Sequence, residues 1–435
     1  MLASWKKWTF ISPTLPLSLR PAERARVLDL PLTPPEAATA LRHLPGLAFF
    51  DSAGNFSSRD TNPLSIIAAR PAEIITGSLA TDLPKLRATL AKYQVEAPDC
   101  GFPLGAACGA IDYDGQFEFG FYPDLLVYHH QSKRWFEVGS LASELKSDKI
   151  TPTSLTHPWE ASFHRSEFLT AVERAQDYIK AGDIYQVNLS QRFQTTISPE
   201  TDLADLYLRL RESSPAPMAA WLRLQNREVL SSSPETFLRM QGARVETRPI
   251  KGTRPRFRDQ EADSLSAYEL QTSEKELAEL IMITDLERND LGQVCEFGSV
   301  AVTDLCQHER LEQVHHLTSV VTGQIRDNFD QIDTLHATFP GGSITGAPKK
   351  RATEIIAELE PVPRGLYTGA IGYLGFNQES QFNIVIRTII RDQISNLLSY
   401  HVGAGIVADS APSDEYHETL LKAEGIKHAL LNTWG

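Results

Sequence analysis

Residues 365–408 read GLYTGAIGYLGFNQESQFNIVIRTIIRDQISNLLSYHVGAGIVA. Three runs in this stretch, 365–376, 381–390 and 396–408, are rich in β-branched and aromatic residues, and glycines interrupt the first and the last. Such runs are typical of β-strands, and glycines inside them mark bulges or close approach of another backbone or a ligand. We therefore expect three strands here.

Similar patterns extend outward from this stretch. Residues 183–193, DIYQVNLSQRF, carry apolar side chains at every second position from Tyr185 to Leu189, which predicts a strand. The runs EVLSSS, TFLRM and ARVETRPI, within residues 228–250, predict further strands with a turn at Gly242.

Three helices are expected among these strands. The first is capped by Ser166 and ends at Gly182. The second covers about residues 264–286, with Ile281 in its apolar stripe, and the third begins near Ser413. Clusters of strands with helices set between them predict an α+β fold rather than alternating βαβ units.

Two zones divide the chain of 435 residues, of which 42% are apolar, enough to bury a sizeable core. Residues 1–155 are rich in proline and turns, whereas residues 156–435 have the cleaner strand and helix pattern. The stretch 146–158, KSDKITPTSLTHP, resembles a linker or a surface loop.

Acidic residues outnumber basic ones, 55 against 42, for a net charge of −13. Polyanions are repelled by such a chain, and only Phe257 interleaves the six basic residues between Arg244 and Arg258, so nucleic-acid binding is only a distant alternative. Four cysteines without CxxC pairing argue against zinc and indicate the reducing cytoplasm. The N-terminus lacks the apolar core of a signal peptide. The sequence contains no run of about 18 apolar residues, so we expect no membrane span.

Two pairs of glutamates stand three residues apart in predicted helices: Glu276 with Glu279, and Glu415 with Glu418. That spacing puts both carboxylates of a pair on one helix face. Four carboxylates brought together would suit Mg²⁺, which prefers oxygen ligands and water. The alternative is two solvated faces, with Glu415 placed favourably for the helix dipole.

Residues 339–352, FPGGSITGAPKKRA, contain another candidate site. Gly341 and Gly346 have the spacing of a phosphate-binding loop, but Ala and Pro follow where that loop needs Lys and Ser or Thr. The segment could still present backbone N–H groups and Ser343 to an anion at a helix N-terminus. The alternative is a tight turn from strand to helix.

Glycines and charges near the C-terminus are further candidates. Gly403 and Gly405 permit close approach of a ligand or of a crowded neighbouring strand. Lys422 follows Glu418 by one turn, so it either faces the same site or forms an i,i+4 ion pair. Arg387 interrupts a β-branched run, where a charge usually meets a carboxylate. Glu235 follows Pro234 and is either a buried acid or a turn acid, whereas residues such as His316 and Tyr367 are, taken alone, more often structural.

Together these segments resemble the chorismate-utilising enzymes, a family that includes anthranilate, isochorismate, salicylate and aminodeoxychorismate synthases. The resemblance covers about residues 165–430. It implies one intertwined α+β unit with two large, mostly antiparallel β-sheets packed together and helices outside. An N-terminal region, 1–155, then interweaves with a chorismate-binding region, 156–435. The motifs that carry it are AGDIYQVNLSQRF, SSSPETF, PIKGTRPR, DLERNDLGQV, VHHLTSVVTGQI, FPGGSITGAPK, RGLYTGAIGYLGF and VGAGIVADS followed by DEYHETLLKAEG.

The resemblance also implies roles for individual residues. The two Glu pairs match a Mg²⁺ site that holds the substrate's ring carboxylate. Glu235 matches the general acid that protonates the leaving C4 hydroxyl, for which burial must raise its pKa. A doubly anionic substrate explains why basic residues converge in a net-acidic chain. The residues that match substrate contacts are Gly252, Thr253, His316 and Ser343 along the ring, and Tyr367, Arg387, Gly403 and Lys422 around the enolpyruvyl carboxylate.

Lys251 indicates the branch of the family. It lies in TRPIKGTRPRFR, residues 247–258, where anthranilate, isochorismate and salicylate synthases usually have alanine, so the chain resembles aminodeoxychorismate synthase component I. The implied mechanism has the Lys251 amine attack C2 of chorismate, after which ammonia attacks C4 and displaces the lysine. Arginine stays protonated and could not attack. A free lysine, with a pKa of about 10.4, is neutral only about once in a few thousand at pH 7, so the site must lower that pKa.

Ammonia needs a source. Cys108 lies in GAACGA rather than in the GxCxG of a glutaminase elbow, so the resemblance implies a separate glutaminase subunit. The family often carries an N-terminal tryptophan pocket, which would fall around Ser52, Pro217 and Met218. The usual Pro-Tyr-Met pattern is broken at Met218, which argues against tryptophan binding. Anthranilate synthase component I is the nearest alternative function.

Overall fold

The computed structural model describes most of the chain. The N-terminal stretch expected not to be a signal peptide lies outside them. None of the described helices is long and apolar enough to cross a membrane. The described residues are 25–53, 62–96, 100–147, 149–153, 155 and 157–431.

The strands of the described chain lie in two sheets. They are β1 (Ala25–Leu28), β2 (Ala48–Asp51), β3 (Leu64–Ala68), β4 (Glu73–Ser78), β5 (Ala106–Ile111), β6 (Gln116–Tyr122), β7 (Leu125–His129), β8 (Arg134–Val138), β9 (Glu160–Ala161), β10 (Gln186–Thr196), β11 (Met218–Arg223), β12 (Arg227–Ser233), β13 (Thr236–Gln241), β14 (Arg244–Arg248), β15 (Ile250–Pro255), β16 (Ala301–Arg310), β17 (Val314–Gln324), β18 (Gly346–Ala347), β19 (Ala370–Gly375), β20 (Glu379–Ile384), β21 (Thr388–Asp392) and β22 (Leu397–Ile406).

The α-helices lie mostly on the outside of the sheets. They are α1 (Pro34–Leu41), α2 (Leu83–Tyr93), α3 (Arg165–Ala181), α4 (Ala204–Ser213), α5 (Gln260–Gln271), α6 (Glu274–Gly292), α7 (Gln331–Thr338), α8 (Lys349–Leu359), α9 (Pro412–Lys422) and α10 (Glu424–Leu430), with short 3₁₀ turns at Leu141–Glu144 and Gly342–Ile344.

One sheet has 12 strands in the order β1-β8-β7-β3-β2-β11-β12-β21-β22-β10-β18, with β9 paired to β10. The other has ten strands in the order β15-β17-β14-β13-β20-β19-β5-β6-β4, with β16 paired to β17. Neighbouring strands pair antiparallel in both sheets. The predicted α+β fold with two large antiparallel sheets is confirmed.

The largest apolar core lies between the two sheets. It contains Leu222 of the 12-stranded sheet together with Phe119 and Phe382 of the ten-stranded sheet, all of them buried. Burial of each such side chain stabilises the fold by about 1.5–3 kcal/mol. A second core packs α1, α4 and α10 on the outer face of the 12-stranded sheet, and a third packs α3 and α8 beside β10 and β22.

The N-terminal zone supplies strands to both sheets: β1 to β3, β7 and β8 belong to the larger sheet, and β4 to β6 to the smaller. The described part of the stretch 146–158 is a surface loop that packs against the rest of the chain, and not an extended linker between domains. The Lys146 N–H donates to the Ala40 carbonyl at 3.1 Å, and the Thr153 N–H donates to Asp205 at 2.9 Å.

The helix expected over 264–286 is two helices, so that prediction was wrong in its bounds. Helix α5 ends at Gln271, and the side chain of Ser273 accepts a hydrogen bond from the Glu276 N–H at 3.4 Å, which starts α6. Ile281 is 49% exposed rather than part of the core.

Two other element boundaries differ in detail. Helix α3 is capped by His164, two residues before Ser166, and it ends as expected where Gly182 adopts the left-handed conformation with φ 82°. Strand β10 begins at Gln186, so Tyr185 lies outside it and is 72% exposed, because the chain enters the sheet one residue later than the alternation indicated. The third expected helix is present as α9.

The run 381–390, expected to be one strand, is divided between the two sheets. Strand β20 lies in the smaller sheet and β21 in the larger, and the chain crosses between them through residues 385–387. Arg387 has a φ of 50°, a conformation uncommon for a residue with a side chain. It therefore lies at a crossover and not inside a strand.

Candidate active site

Two adjacent crossovers between the sheets bring Glu235 and Arg387 together. The chain passes from β12 to β13 through Glu235 and from β20 to β21 through Arg387. Backbone hydrogen bonds join the two crossovers: the Ile384 N–H donates to the Glu235 carbonyl, and the Ser232 N–H donates to the Arg387 carbonyl, each at 3.1 Å. Residues far apart in sequence thus become neighbours because both change sheets at the same place.

Glu235 is only 5% exposed. Burial raises its pKa, while Ser343 and Lys251 oppose that rise. The Ser343 hydroxyl is itself buried near Glu235 without a well-formed hydrogen bond among the described residues. Burial also lowers the pKa of Arg387, and Glu235 is the acid that opposes this shift. A carboxyl group with a raised pKa can remain protonated and act as a proton donor.

Lys251 lies at a bulge in the β15–β17 pairing. The register shifts between Lys251 and Thr253, and Gly252 between them has a φ of 63°. A Cβ on Gly252 would lie 2.5 Å from Cδ1 of Leu270, so both the turn and the space require glycine. The bulge directs Lys251 toward α6, where its Nζ lies 3.6 Å from Oε2 of Glu279.

His316 lies opposite Thr253 on β17 and is 1% exposed. Its Nδ1 is 3.0 Å from Oγ1 of Thr253 and 3.3 Å from the Gly252 carbonyl, and a carbonyl can only accept. Burial lowers the pKa of His316 to about 4, and Arg387 adds to that effect. The imidazole is therefore neutral near pH 7, and its buried Nε2 has no hydrogen-bond partner among the described residues.

The inner face of the β10–β22 pair forms another wall of the site. A Cβ on Gly405 would lie 2.4 Å from Nε2 of Gln186 and 3.8 Å from Nζ of Lys251. A Cβ on Gly403 would lie 2.7 Å from Oδ1 of Asn188 and 2.9 Å from the Tyr367 hydroxyl. The two glycines thus leave room for polar side chains that converge on the site.

The segment around Ser343 is a tight connection and not a phosphate loop. Gly346 has a φ of 143°, and its missing Cβ would lie 2.2 Å from the Gln186 carbonyl, because β18 pairs directly with β10. Gly346 therefore serves close backbone packing, as the tight-turn alternative implied, and anion binding by this segment stays a prediction. Ser343 is 7% exposed and lies near Glu235, as the resemblance implied.

The four predicted metal-binding carboxylates lie on α6 and α9, around Lys275. Nζ of Lys275 is 3.5 Å from Oε1 of Glu415, and all four glutamates act on it electrostatically. Burial raises the pKa of Glu276, and Glu279 adds to the rise; burial likewise raises the pKa of Glu415. Despite burial, Lys422 lowers the pKa of Glu418.

These carboxylates have the donor chemistry that Mg²⁺ requires. Oε2 of Glu415 is buried without a hydrogen-bond partner among the described residues, which leaves one oxygen for a ligand. In the described chain, however, no three His, Cys, Asp or Glu side chains lie close enough together to hold a metal ion as they stand. The residues fit the ion in donor type, and Lys275 lies among them as a competing cation.

Lys422 combines both roles that its spacing allowed. Its Nζ forms an ion pair with Oε1 of Glu418 at 2.7 Å and donates a hydrogen bond to the Gly403 carbonyl at 3.0 Å. It thus connects α9 to the glycine side of the site.

Sequence reasoning missed two basic residues near the site. Lys275 precedes Glu276 directly, and only the meeting of α6 with α9 shows what it contacts. Arg364 forms a buried ion pair with Glu360 at 2.8 Å and donates to the Ile344 carbonyl at 3.0 Å, which holds the Ser343 segment in place. The PVPR sequence before Gly365 carries no pattern that would have indicated this role.

Ser52, Pro217 and Met218 line one cavity, at the place where the tryptophan pocket was expected. Its volume is about 70 Å³. That is well below the roughly 300–1,000 Å³ of ligand pockets. The expectation that tryptophan does not bind stays a prediction.

Comparisons with known proteins agree with this geometry. The family model for chorismate binding enzymes matches residues 81–428. The chain is 40% identical over 330 residues to aminodeoxychorismate synthase component 1 of Bacillus subtilis, covering 71% of this chain and 69% of that protein. It is 44% identical over 308 residues to the protein of that name from Salmonella typhimurium, covering 71% and 66%. The chain thus spans about two thirds of the length of these relatives.

Anthranilate synthases also match. The chain is 42% identical over 273 residues to anthranilate synthase component 1 of Aquifex aeolicus, covering 62% of this chain and 54% of that protein. The crystal structure of anthranilate synthase component I from Streptococcus pneumoniae superposes with a TM-score of 0.72 at 28% identity, covering 85% of this chain and 93% of that one. With Glu235, Lys251, His316 and the four glutamates around one site, and with the family model matching most of its length, the chain belongs to the chorismate binding enzymes.

Proposed function

We propose that the chain converts chorismate and ammonia to 4-amino-4-deoxychorismate, as component 1 of an aminodeoxychorismate synthase. The observation that carries this proposal is the position of Lys251 in the same site as the buried Glu235, whose pKa is raised by burial. The relatives named aminodeoxychorismate synthase component 1 support it. Anthranilate synthase component 1 is the alternative, because relatives of that name match at comparable identity.

Substrate binding uses the cations and hydrogen-bonding groups of the site. Arg387, Lys422 and the Tyr367 hydroxyl, beside Gly403, would hold the enolpyruvyl carboxylate. His316 and Ser343, each with a buried polar atom free to bond, would lie along the ring with Gly252 and Thr253. Buried donors and acceptors without partners are costly unless a ligand or water satisfies them.

The four carboxylates Glu276, Glu279, Glu415 and Glu418 would hold Mg²⁺. When bound, the ion would neutralise the ring carboxylate of chorismate. The chain's own part is to place these carboxylates on two helices near Lys251. The chorismate ring would then be held in a fixed orientation relative to the Lys251 amine.

The reaction then needs one proton donor and one nucleophile. The neutral amine of Lys251 forms a bond to C2, both ring double bonds shift by one position, and the C4–O bond breaks as Glu235 gives its proton to the departing hydroxyl, which leaves as water. Ammonia next bonds to C4, both double bonds shift back, and the C2–N bond to Lys251 breaks. The new C4 ammonium group then returns one proton to the Glu235 carboxylate. Glu235 suits the donor role because burial raises its pKa.

Ammonia would come from a separate glutaminase subunit, in keeping with the designation component 1 of the relatives. We expect free ammonium salts to replace that partner in vitro. We also propose that the protein works in the reducing cytoplasm, which would suit its four free cysteine thiols.

A product analysis tests the proposal. The protein is incubated with chorismate, Mg²⁺ and ammonium, and the products are identified by mass spectrometry. We expect 4-amino-4-deoxychorismate. Anthranilate or isochorismate as the main product would refute the branch, and absence of turnover at high ammonium would refute the activity.

Variants of Lys251 test the covalent step. Lys251→Ala and Lys251→Arg should both abolish product, because neither side chain offers a neutral amine. Lys350→Ala, which removes an exposed lysine on α8, is the matched control and should keep full activity. Unchanged formation of product by Lys251→Ala would show that no covalent intermediate is needed.

A further inference from the structure

A second cavity of about 620 Å³ lies between the two sheets, apart from the catalytic residues. Its volume falls within the roughly 300–1,000 Å³ typical of small-molecule sites. Strands β10, β21 and β22 of the larger sheet form one wall, and β4 and β6 of the smaller sheet form the opposite wall. The segment 363–366, which precedes Tyr367, closes one side.

The cavity continues the inner face of the β10–β22 pair that already forms a wall of the candidate active site. Arg192 and His401 are register partners on these strands. Side chains two positions apart on a strand point to the same face. Arg192 therefore shares its face with Asn188, and His401 shares its face with Gly403, so the two sites lie end to end on one surface.

Two polar side chains at this end of the face, Arg192 and His401, have nitrogens without hydrogen-bond partners in the described chain. His401 is 5% exposed, and both of its ring nitrogens are buried without a hydrogen-bond partner in the described chain. The Nε of Arg192 is likewise buried without a hydrogen-bond partner in the described chain. Burial lowers the pKa of His401 to about 3, with Arg192 adding to the shift, so the ring is neutral and offers one donor and one acceptor. These three nitrogens belong to two side chains that line the cavity, which favours an occupant with polar atoms that can reach them.

The charges around the cavity restrict that occupant. Arg227 is paired with Asp112 at 2.6 Å, and Arg364 is paired with Glu360 at 2.8 Å. Arg192, by contrast, has no ion pair with an acidic side chain in the part of the chain that the structure describes. A single anionic group would therefore suffice, and a polyanion would be repelled by the three acidic residues that also line the cavity, Asp82, Glu118 and Asp392.

Apolar side chains complete the lining. Phe117 projects from the smaller sheet, Ile390 and Leu397 from the larger, and Leu366 from the closing segment. An apolar pocket with a few converging polar groups binds a ligand that has an apolar body and one polar end.

We propose that this cavity is a second binding site, which takes a small aromatic monocarboxylate. The carboxylate accepts hydrogen bonds from Nε of Arg192 and from the N–H of His401, and the ring lies between Phe117 and Ile390. The site is separate from chorismate binding but coupled to it, because His401 stacks on Tyr367 with ring centroids 5.0 Å apart and an interplanar angle of 11°. The Tyr367 hydroxyl in turn borders Gly403.

Calorimetric titration with benzoate, and with its neutral isostere benzamide, tests the charge requirement. We expect saturable binding of benzoate and none of benzamide. Equal binding of both, or binding of neither at millimolar concentration, would overturn the proposal. A parallel titration with 4-aminobenzoate asks whether an amino group facing Glu118 adds affinity, and a loss of affinity there would exclude the orientation given above.

Variants locate the carboxylate. Arg192→Gln should weaken benzoate binding roughly tenfold or more, because a charge-assisted hydrogen bond is lost. Arg192→Lys should restore part of it. Arg174→Gln, which removes an exposed arginine of α3, is the matched control and should bind like the parent. Circular dichroism melting confirms that each variant is folded, and wild-type affinity in folded Arg192→Gln would overturn the site.

Crystals grown with 4-bromobenzoate provide a readout that is independent of the variants. Anomalous scattering should place the bromine in the cavity near Phe117. Bromine located only beside Lys251 would show that aromatic carboxylates use the catalytic site, and the proposal would then fail while the proposed activity would remain open to its own product analysis.

Discussion

Glu287 makes the stability of this protein depend on pH in a way that can be calculated. It lies on α6, is 7% exposed, and accepts a hydrogen bond from Oγ1 of Thr247 at 2.8 Å. Burial raises the pKa of Glu287 from 4.5 to about 8; the Thr247 hydrogen bond opposes the rise and nearby Glu235 adds to it. The folded protein therefore holds this proton much more tightly than the unfolded chain.

The sign and size of the effect follow from proton linkage. Because the folded pKa is above the unfolded one, the stability from this group is fully present below pH 4.5 and is lost as pH rises through about 8. The whole shift corresponds to about 5 kcal/mol, of which about 3 kcal/mol is lost between pH 5.5 and pH 8.5.

The substitution Glu287→Gln removes the contribution of this carboxyl group to the pH dependence of stability. The amide oxygen can still accept from Thr247, but the group no longer ionises. We expect the free energy of unfolding of the wild type, relative to Glu287→Gln, to fall by about 3 kcal/mol from pH 5.5 to pH 8.5, measured by equilibrium unfolding in urea. Glu354→Gln, at a half-exposed glutamate of α8, is the control and should follow the wild type. Parallel stability curves for wild type and Glu287→Gln would refute the reasoning.

Three further predictions concern the site and its supports. Gly405→Ala should leave the fold intact but reduce turnover roughly 10- to 100-fold, because its Cβ would displace the flexible amide of Gln186, which lies 2.4 Å away; unchanged kcat would contradict this. Lys275→Met should tighten Mg²⁺ binding about fivefold, or by about 1 kcal/mol, since a cation close to the carboxylates is removed; calorimetry that shows weaker binding would exclude the competition. Arg364→Met should cost about 3–5 kcal/mol of stability, because it leaves Glu360 as a buried unpaired charge; a loss below about 1 kcal/mol in urea unfolding would show that the pair matters little.

Local patterns allowed a large part of the architecture to be predicted. Gly182 marked the end of α3 because the helix closes with a residue in the left-handed conformation, which glycine adopts most easily. The start of α9 was predicted from the residues around 413. Motif order then indicated the family, the two large sheets and the identity of the candidate site residues, which the structure gathers around Glu235 and Lys251.

Other features depended on partners distant in the chain. Alternation of apolar residues predicts a strand but carries no information about which sheet the strand joins, so the division of 381–390 at the crossover was missed. The break at Thr272 was missed because a cap interrupts a helical pattern without changing its period.

The sequence by itself determined the residue types of the candidate site: a lysine rather than an arginine at 251, a glycine at 252 that a bulge requires, and glutamates spaced to share a helix face. Only the tertiary structure decided their environment. It buried Glu235 and so raised its pKa, placed Lys275 among the carboxylates, and left the ring nitrogens of His401 without hydrogen-bond partners among the described residues. The physical reason is that desolvation and electrostatic interaction act over a few ångströms of space, and those distances exist only after the sheets have packed.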